Sequence, residues 1–441
     1  MSTLAKTPAA LTALAMTPTT RRRAIFFFCV ALALVMPWLF YNWDTGRHAG
    51  FEVKMFSQMG LLMIFALSFN MQMGQAGLLS FGHAVFFGMG GYCTAHALNA
   101  IGSAGYAIPI ELVPLAGGLG ALLFAIVLGW VITKQRATAF AMITLGVGEL
   151  VTACALMFRN FFGGEGGITT NRMVKTSPFG FSYSQDIQVY YLIVAWAAIA
   201  IVLMWLLTQT PQGRMANACR DNHERAQFVG YDPRMVRFYQ FALSGFFAGI
   251  AGGLYAIAYE IVTFDAVAAG TSGNALLMTF IGGTGFFYGP IIGTVLIVFL
   301  QTKISLLSAA WPVYVGVLFV IMVIFAPGGF AGLIQLHAPL LRAGRLRPLV
   351  MPYLKVFAFG LLVLTGFVMI VELLSFISIG KAQGKTLGFL GRPVDEASVL
   401  TWVVAIGLFG GGALGLRWQG LKLRRVWSGL MDELRAAGRV V

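Results

Sequence analysis

The sequence predicts an all-α polytopic membrane protein of about 10–12 transmembrane segments, some of them broken or re-entrant at glycine-rich positions. Three observations lead to this class. Of the 441 residues, 58% are hydrophobic and 10% are charged, whereas a soluble globular chain has roughly 25% charged residues. The apolar residues form runs whose length of roughly 17–25 residues matches one bilayer crossing. The chain also contains 54 glycines, several of them regularly spaced within these runs.

The first apolar run follows three consecutive arginines, Arg21, Arg22 and Arg23. It covers residues 24–41, and residues 1–23 are predicted to be a mobile cytoplasmic N-terminus rich in Ala, Thr and Pro. A basic start and an apolar core also describe a secretory signal peptide, but no small-residue cleavage site follows, so we predict a retained first span. Further apolar runs lie at about 57–72, 82–100, 113–132, 138–158, 188–208, 238–258, 272–306, 311–327, 353–377 and 398–416.

Basic residues cluster at the ends of the apolar runs, and the net charge is +14. This placement sets membrane orientation in cytoplasmic loops, and it argues against nucleic-acid binding. The run 272–306 is too long for one ordinary span and contains the glycine-rich break 282–290. If the chain turns back at this break, so that the run forms two segments, every basic cluster and both termini lie in the cytoplasm. If the run crosses the membrane only once, the last two clusters lie outside. The clusters are Lys134 with Arg136, the loop 209–237, Arg342 to Lys355, and Arg417 to Arg439.

Sequence motifs of catalysis, nucleotide hydrolysis and metal binding are absent. The four cysteines lack CxxC spacing, and no Walker A, HExxH or GxSxG pattern occurs. The glycine-rich stretch 163–170 lacks the GK[ST] ending of a phosphate-binding loop, so it is predicted to be a flexible outer loop. His83 and His96 lack the second histidine pair that haem ligation across the membrane would need, and each is predicted to be a helix-packing residue. We therefore predict a chain that is not an enzyme and that holds no metal and no cofactor.

Two apolar runs carry glycine at every fourth position. Small residues at this spacing form a flat stripe where helix backbones approach closely, so tight helix packing is predicted. The alternative is that glycines are simply common in such helices. The residues are Gly245, Gly249 and Gly253 in one run, and Gly285, Gly289 and Gly293 in the other.

The stretches 61–92 and 276–295 also resemble each other. Each begins with Leu-Leu-Met, reaches a glycine-rich break and continues as a helix with spaced glycines. Corresponding broken helices in two halves of a chain indicate a transport pathway near the membrane midplane. At this point an internal repeat and a chance likeness are equally good explanations.

Polar side chains inside the apolar runs are candidates for lining a pathway. Glu149 lies mid-run, where an acid costs about 2.5–3.5 kcal/mol, so it is expected to face the bundle interior or a polar cavity. It is either a pathway or gate residue or the partner in a buried structural hydrogen bond. Gln75, Ser80 and His83, at the first glycine-rich break, are candidates with the same ambiguity. At the second break the candidates are Gly282, Gly283 and Gly285.

The loop 209–237 interrupts two membrane-length runs with five arginines and three acids. Its apolar residues recur at helical spacing, although Asn222 interrupts the stripe. Gly230 is a natural helix stop, and Asp232 and Pro233 supply a cap and a first-turn proline for the next span. We predict a short helix on the membrane surface, a turn and a transmembrane helix, and a merely solvated loop is the alternative. The stripe consists of Met215, Ala218, Cys219, Ala226 and Val229.

Several stretches together resemble one family. They are GQAGLLSFGHAVFFGMGGY (74–92), ITLGVGELV (143–151), GGEGGI (163–168), the segment 213–256, LLMTFIGGTGFFYGPIIGTVL (276–296) and FAPGGFAGL (325–333). In this order they resemble the permease subunits of bacterial branched-chain amino-acid ABC importers of the LivM type. Glu165 departs from the family pattern, in which a neutral or aspartate-containing turn is expected.

The resemblance implies a multi-pass permease of the bacterial inner (plasma) membrane that imports branched-chain or similar amino acids by alternating access. The partners it implies are a second homologous permease subunit, two cytoplasmic ATPase subunits that carry ATP and Mg, a periplasmic substrate-binding protein and the lipid bilayer. The family also includes permeases for urea and other small solutes, so a small polar solute is the alternative substrate. From another class, the alternative is a structural or electron-transfer membrane subunit.

The resemblance also divides the chain and assigns the polar loop. Residues 24–337 become the permease core, and residues 338–441 become an extension with two further spans and a basic tail. The loop 209–237 becomes the coupling site for an ATPase. The coupling candidates are Gly213, Arg214, Ala218, Arg220, Asp221, Glu224, Arg225 and Gly230.

Overall fold

A computed structural model gives the fold of the chain. It describes residues 18–42, 47–48, 50–104, 108–135, 137–173, 182–344, 346–380, 388–389, 392–393 and 398–436. Of the predicted mobile N-terminus, residues 1–17 lie outside this range, and residues 18–23 form the start of the first helix. Arg136, Arg345 and Arg439, which the orientation argument used, also lie outside it.

The chain forms two compact units, residues 1–279 and 280–441. The predicted division at 337–338 rests on the family resemblance and stays a prediction. The helices of the first unit are α1 (Pro18–Leu39), α2 (Gly50–Asn70), α3 (Ala84–Ala104), α4 (Val113–Ile132), α5 (Ala137–Met157), α6 (Arg159–Phe162), α7 (Asp186–Gln209), α8 (Pro211–Asp221), α9 (His223–Phe228) and α10 (Pro233–Tyr259). Helix α11 (Ala269–Gly282) runs just past the boundary.

The second unit contains α12 (Gly289–Ile304), α13 (Trp311–Phe325), α14 (Gly329–Ala343), α15 (Arg347–Ser375) and α16 (Val399–Ala436). Short π-helical turns at Met71–Gln75 and Phe376–Gly380 extend α2 and α15. Three two-residue strand pairs complete the described structure, all antiparallel: β1 (Tyr41–Asn42) with β2 (Arg47–His48), β3 (Ile168–Thr169) with β4 (Ile261–Val262), and β5 (Gly388–Phe389) with β6 (Arg392–Pro393).

The predicted class of an all-α polytopic membrane protein is confirmed. Within the described ranges, 7 helices are long and apolar enough to cross a membrane, and the total is 8 if α13 and α14, bent by 43°, count as one span. The predicted number of about 10–12 counted every apolar run as a segment. This count is lower because two of those runs form only the shorter apolar helices Phe27–Leu39 and Gly289–Ile304, and because α3 and α11 are not among the seven.

The long run 272–306 is two helices, as predicted: α11 and α12 flank a turn at 283–288. The glycine spacing had predicted a stripe from Gly285 to Gly293 in this region. That part of the prediction is wrong, because Gly285 lies exposed in the turn with no neighbouring atom within 4 Å of where a Cβ would stand. Gly289 instead packs back against Gly283.

The glycine stripe on α10 does make the predicted close contacts. A Cβ at Gly249 would overlap the Ala121 side chain of α4, and a Cβ at Gly253 would stand 2.6 Å from Thr94 Oγ1 of α3. Gly245 is buried on the same face. Tight packing of α3 and α4 around α10 therefore depends on small residues, as it commonly does between membrane helices.

Helices α15 and α16 form a close antiparallel hairpin in the second unit. A Cβ at Gly366 would stand 2.5 Å from the Phe409 backbone nitrogen, and a Cβ at Gly412 would stand 2.8 Å from the Val363 backbone nitrogen. These are the two further spans predicted for residues 338–441, and each is long and apolar enough to cross a membrane.

Candidate functional site

The polar loop begins at a sharp corner between α7 and α8. Thr210 caps α8, because its Oγ1 accepts a hydrogen bond from the Gly213 backbone nitrogen at 3.2 Å, and Pro211 occupies the first turn. A Cβ at Gly213 would overlap the Leu207 carbonyl oxygen. Gly213 is buried and shapes the corner, so among the coupling candidates it is a backbone residue rather than part of an exposed face.

Two short helices, and not the single predicted one, follow this corner. Asn222 separates α8 from α9: it has extended backbone angles (φ −152°, ψ 104°), and its Oδ1 accepts a hydrogen bond from the Arg225 nitrogen at 3.0 Å. The prediction treated Asn222 as an interruption of one stripe, whereas its side chain starts a new helix because asparagine is a strong N-cap.

The end of the loop agrees with the local sequence rules. Gly230 has a φ of +89°, a conformation that glycine adopts without strain, and it follows the end of α9. The Asp232 carboxylate accepts a hydrogen bond from the Arg234 nitrogen at 2.9 Å, and Pro233 is the first residue of α10. The predicted helix stop, cap and first-turn proline are confirmed.

Helices α8 and α9 have distinct buried and exposed faces. Ala216, Cys219 and Ala226 are buried together with Gly213, and burial raises the pKa of the Cys219 thiol above its ordinary value. Val229 was predicted to continue the apolar stripe, but it is 70% exposed because it follows the last turn of α9. The exposed coupling candidates are Arg214, Ala218, Arg220, Asp221, Glu224, Arg225 and Gly230.

An exposed aromatic residue that sequence reasoning missed lies beside these candidates. Phe228 ends α9 and is 90% exposed, next to the exposed Val229. These two exposed apolar side chains lie on helices whose other exposed residues include several charged ones. Aromatic residues within a polar rim are common in protein interfaces. The signal was present in the sequence, since a phenylalanine in the middle of a polar loop has no core to enter.

Arg220 differs from the other coupling candidates because its guanidinium turns towards the protein. Its Nη1 donates to the Gly74 carbonyl, its Nε donates to Asp221 Oδ1 at 2.9 Å, and the side chain is 36% exposed. A Cβ at Gly77 would stand 2.8 Å from Arg220 Cγ, so the absence of a side chain there lets the arginine pass. Arg220 thus joins α8 to the first glycine-rich break.

That break consists of the π-helical turn Met71–Gln75 followed by an irregular segment up to His83. Gln75 is buried, and its Oε1 accepts a hydrogen bond from Gln240 Nε2 of α10 at 2.6 Å. The Gln72 amide and the Ser80 hydroxyl are also buried, and neither has a hydrogen-bond partner among the described residues. Such groups cost about 1–3 kcal/mol each, and π-helical turns are frequent at functional positions.

His83 lies just before α3, rather than within the helix as the apolar run suggested. Its Nε2 shares a hydrogen bond with Ser68 Oγ at 2.9 Å, and its ring stacks on Phe65 with a centroid distance of 5.3 Å. The ring is fully buried. His96 is placed elsewhere, with its Nε2 2.8 Å from the Phe161 carbonyl oxygen, so the two histidines share no site. In the described part of the chain, no group of three or more His, Cys, Asp or Glu residues could hold a metal ion.

Glu149 is exposed on the outward face of α5, so it does not face the interior of this helix bundle, the first of its two predicted environments. The second, a polar cavity, stays a prediction. The neighbouring positions Thr144 and Gly148 make the inward contact: Thr144 Oγ1 accepts a hydrogen bond from the Phe81 nitrogen at 3.2 Å, and Gly82 packs against the Thr144 carbonyl. Because one helical step rotates a side chain by about 100°, Glu149 points away from this contact. Periodicity alone could not choose the face, since α5 is apolar on both sides.

The second break, in the second unit, contains backbone contacts instead of polar side chains. Gly283 has a φ of +115°, and a Cβ there would overlap the Gly328 carbonyl oxygen. A Cβ at Gly282 would overlap the Gly289 carbonyl oxygen in the same way. Gly285 is exposed. Gln75, Ser80 and His83 thus lie in one irregular segment of the first unit, whereas at the second break Gly282 and Gly283 pack against glycine backbones of the second unit.

A charged network at the opposite ends of α7 and α10 from the coupling loop was not predicted. Arg172 is buried, donates from Nη2 to Asp186 Oδ1 at 2.8 Å, and donates from its backbone nitrogen to Glu260 Oε1 at 3.0 Å. Lys54 Nζ lies 3.5 Å from Asp186 Oδ2. The network ties the segment after β3 to the start of α7 and the end of α10. Its members are far apart in sequence, so no local pattern indicated it.

The sequence is similar to those of known transport proteins. The sequence model of the family described as "Branched-chain amino acid transport system / permease component" matches residues 53–327. The high-affinity branched-chain amino acid transport system permease protein LivM of Escherichia coli is 26% identical over 292 residues, which cover 61% of this chain and 67% of LivM. A probable LivM of Methanocaldococcus jannaschii is 25% identical over 320 residues, covering 61% of this chain and 90% of the relative.

A transporter named for another solute is also similar. The ribose import permease protein RbsC of Haemophilus influenzae is 29% identical over 213 residues, covering 46% of this chain and 62% of RbsC. No solved structure matches the chain.

Proposed function

The chain belongs to the family of branched-chain amino acid transport system permease components, and from this membership we propose that it imports branched-chain or similar amino acids as one permease subunit of an ATP-driven importer. It is a multi-pass membrane protein of a transport family. In the proposed complex it pairs with a second related permease, two cytoplasmic ATPase subunits and a periplasmic substrate-binding protein. ATP hydrolysis takes place on the separate subunits, and both termini of this chain lie in the cytoplasm of a bacterial inner membrane.

The observation that carries the proposal is the contact between Arg220 and Gly74. Through this hydrogen bond, helix α8 is joined directly to the first glycine-rich break. A surface that only set membrane orientation would not need a charged side chain bonded to a backbone carbonyl inside the helix bundle. Because hydrogen bonds to charged groups contribute about 1.5–3 kcal/mol, a displacement of α8 is expected to displace the Gly74 backbone with it.

The docking surface proposed for the ATPase is the outward face of α8 and α9. Phe228 and Val229 supply the apolar contact, and the exposed Arg214, Glu224 and Arg225 of the same two helices supply charged contacts. Exposed aromatic residues within a charged rim are the usual anchors of protein interfaces. The α7–α8 corner is tight, because a side chain at Gly213 would overlap the Leu207 carbonyl oxygen, so a movement of α8 is expected to move the end of α7 as well as the break.

The break responds to α8 through two connections. Gly74 is held by Arg220, and the adjacent Gln75 is held by Gln240 of α10, so movement of α8 changes the geometry between α2 and α10. The Gln72 amide and the Ser80 hydroxyl have no partner among the residues that the structure describes, so this arrangement is less stable than a fully bonded one. Their pairing in a second conformation would favour a switch between two states, as alternating access requires.

The outward face of α5 is proposed to line the pathway at the boundary with the second permease subunit. Glu149 is exposed near the centre of that helix, between the exposed apolar residues Met142, Leu150 and Met157. In contact with lipid this carboxyl would cost about 2.5–3.5 kcal/mol, so a polar pathway or a partner subunit is the favourable environment. We expect Glu149→Ala to impair uptake while ATPase assembly is kept, with Glu149→Gln as the isosteric control. Loss of assembly in both variants would make Glu149 structural.

The names of the similar proteins support the proposed substrate class. Two LivM proteins named for branched-chain amino acids match over 61% of this chain, whereas the ribose permease matches over 46%. The polar residues of the break and Glu149 provide hydrogen-bonding groups for a zwitterionic solute. Urea or another small polar solute is the alternative within transport.

The complete importer, reconstituted in nanodiscs with its ATPase subunits and binding protein, tests this function. Binding-protein-dependent ATP hydrolysis is measured with leucine, isoleucine, valine, other amino acids, ribose and urea. Stimulation by branched-chain amino acids alone is the expected result. If only ribose or urea stimulated ATP hydrolysis, the proposed substrate class of branched-chain amino acids would be wrong. If the chain copurified with no ATPase, its proposed role as an importer subunit would be wrong.

A further inference from the structure

The last helix is far longer than a membrane crossing and changes character along its length. Helix α16 has 38 residues, so at a rise of about 1.5 Å per residue it extends well beyond a hydrocarbon core of about 30 Å. Residues 399–416 contain no charged side chain, whereas residues 417–436 contain five basic ones. The change from apolar to basic falls where the helix would leave the bilayer.

The basic half of α16 is held in place by an apolar face. Leu430 and Leu434 are buried against Leu340 of α14 and Leu349 of α15. Beside them the Trp427 ring lies 4.9 Å from the His337 ring, measured between centroids. This half is therefore part of a small three-helix cluster, and its opposite face has a fixed position.

That opposite face combines aromatic and basic side chains. Trp418 and Leu421 are 57% and 52% exposed, and Arg417, Lys422 and Arg425 are exposed around them. The Lys422 Nζ lies 3.4 Å from the centroid of the Trp418 ring. Among the described residues these three cations form no ion pair, whereas Arg435, further along, pairs with Asp432 at 3.7 Å. We call this surface, residues 417, 418, 421, 422 and 425, the basic-aromatic face.

We propose that the basic-aromatic face binds the headgroups of anionic phospholipids in the leaflet where α16 leaves the bilayer. An indole ring prefers the membrane interface, and lysine and arginine next to a span are attracted to anionic headgroups. Arg417 and Arg425 lie about two turns apart on the same side of α16, with Trp418 and Lys422 between them. The free cations match a phosphodiester anion, and the apolar side chains match the acyl chain boundary.

A membrane is favoured over an acidic protein as the occupant because the face is continuous with the span. The exposed Leu414 lies about one helical turn before Arg417 on the same side of the helix, so apolar and basic contacts follow one another along the bilayer normal. Under the proposed orientation the headgroups belong to the cytoplasmic leaflet. The face would bind them whether or not the importer is moving substrate.

Native mass spectrometry of the purified full-length chain tests this site. The protein is incubated with an equimolar mixture of phosphatidylglycerol and phosphatidylcholine, and the ratio of the two bound lipids is measured. The variant Arg417→Gln, Lys422→Gln, Arg425→Gln is expected to lower the preference for phosphatidylglycerol at least ~5-fold. A control with the same loss of charge elsewhere, Lys54→Gln, Arg159→Gln, Arg435→Gln, is expected to keep it.

Further arms separate the alternatives. Millimolar inorganic phosphate is expected to leave the bound phosphatidylglycerol in place, because the free anion lacks the acyl contact. If the triple variant does not fold, Trp418→Ala and Lys422→Gln are measured singly, and each is expected to lower the preference. An unchanged ratio, or an equal loss in the control, would overturn the proposal. Loss of ATPase copurification with unchanged lipid preference would assign the face to a protein instead.

Discussion

The two glycine-rich breaks begin with similar sequences and have different structures. The first, from Met71 to His83, is mostly buried, although Gly77 is exposed, and it contains the buried polar side chains of Gln72, Gln75 and Ser80. The second, at 283–288, is a turn in which glycine backbones touch each other and one glycine is exposed. Similar spacing of glycine therefore produced a polar, partly unpaired segment in one place and a close-packed turn in the other.

The difference shows what each break can do. Close backbone contacts at Gly283 leave no room for a side chain. We infer that this turn is rigid, because tightly packed atoms cannot move without overlap and added volume in such packing is destabilising. At the first break, unpaired polar groups and the Arg220 contact provide alternatives for rearrangement. A shared glycine pattern is therefore compatible with a fixed joint and with a movable one, and the hypothesis of an internal repeat stays a prediction.

The largest expected effect is on the second break. Gly283→Ala combines a positive φ with overlap on the Gly328 carbonyl, and it is expected to destabilise the fold by roughly 2–4 kcal/mol. The midpoint of heat-induced loss of the monodisperse peak in size-exclusion chromatography measures this. Gly285→Ala, in the same turn with nothing within 4 Å, is the control and should be close to neutral. Equal midpoints for the two variants would show that this turn is not rigid.

Arg220→Gln is expected to have the next largest effect, on coupling rather than on folding. It removes a charge-assisted bond of about 1.5–3 kcal/mol, so transport-coupled ATP hydrolysis should fall about 10-fold or more. ATPase copurification should persist, since Phe228 is unchanged. Arg214→Gln removes the same charge from the exposed side of α8 and is expected to preserve hydrolysis per assembled complex. An equal loss of ATP hydrolysis in both variants would show that Arg220 acts only through its charge at the surface and has no special role in coupling.

The hydrogen bond between Gln75 and Gln240 allows a double-mutant cycle. Either single change to leucine leaves a buried amide without its partner and is expected to cost about 1–3 kcal/mol. The double variant should be more stable than the sum of the two single losses by at least ~0.5 kcal/mol. Thermal midpoints and uptake are compared across all four proteins. Strict additivity would mean that the first break is not held to α10 by this bond.

The smallest effect should be a gain in stability. Ser80→Ala removes a buried hydroxyl without a described partner, so the fold is expected to gain up to ~1 kcal/mol while uptake falls. Ser244→Ala is the control, because Ser244 Oγ donates to the Phe241 carbonyl at 2.8 Å and its loss should not stabilise the protein. A stabilised Ser80 variant with full uptake would contradict a role for this hydroxyl in switching.

Local chemistry was sufficient for much of the fold. The apolar runs predicted the membrane class, the caps at Asp232 and Pro233 predicted the start of α10, and the glycine-rich break predicted two helices between residues 272 and 306. Each of these depends on neighbours within a few residues, and the bilayer imposes the same length on every span. The order of the motif-bearing stretches also predicted the family, which the comparison confirms.

What the tertiary structure decided depends on contacts between distant residues. Glu149 is outward because α5 packs through Thr144 and Gly148, and the partly exposed Arg220 reaches the Gly74 carbonyl because Gly77 leaves space for it. The partners of Arg172 likewise lie on two other segments. A sequence determines which stretches enter the membrane, because the hydrophobicity of a segment is the sum over neighbouring residues. The direction of each polar side chain depends on which helix faces become neighbours, and only packing settles that.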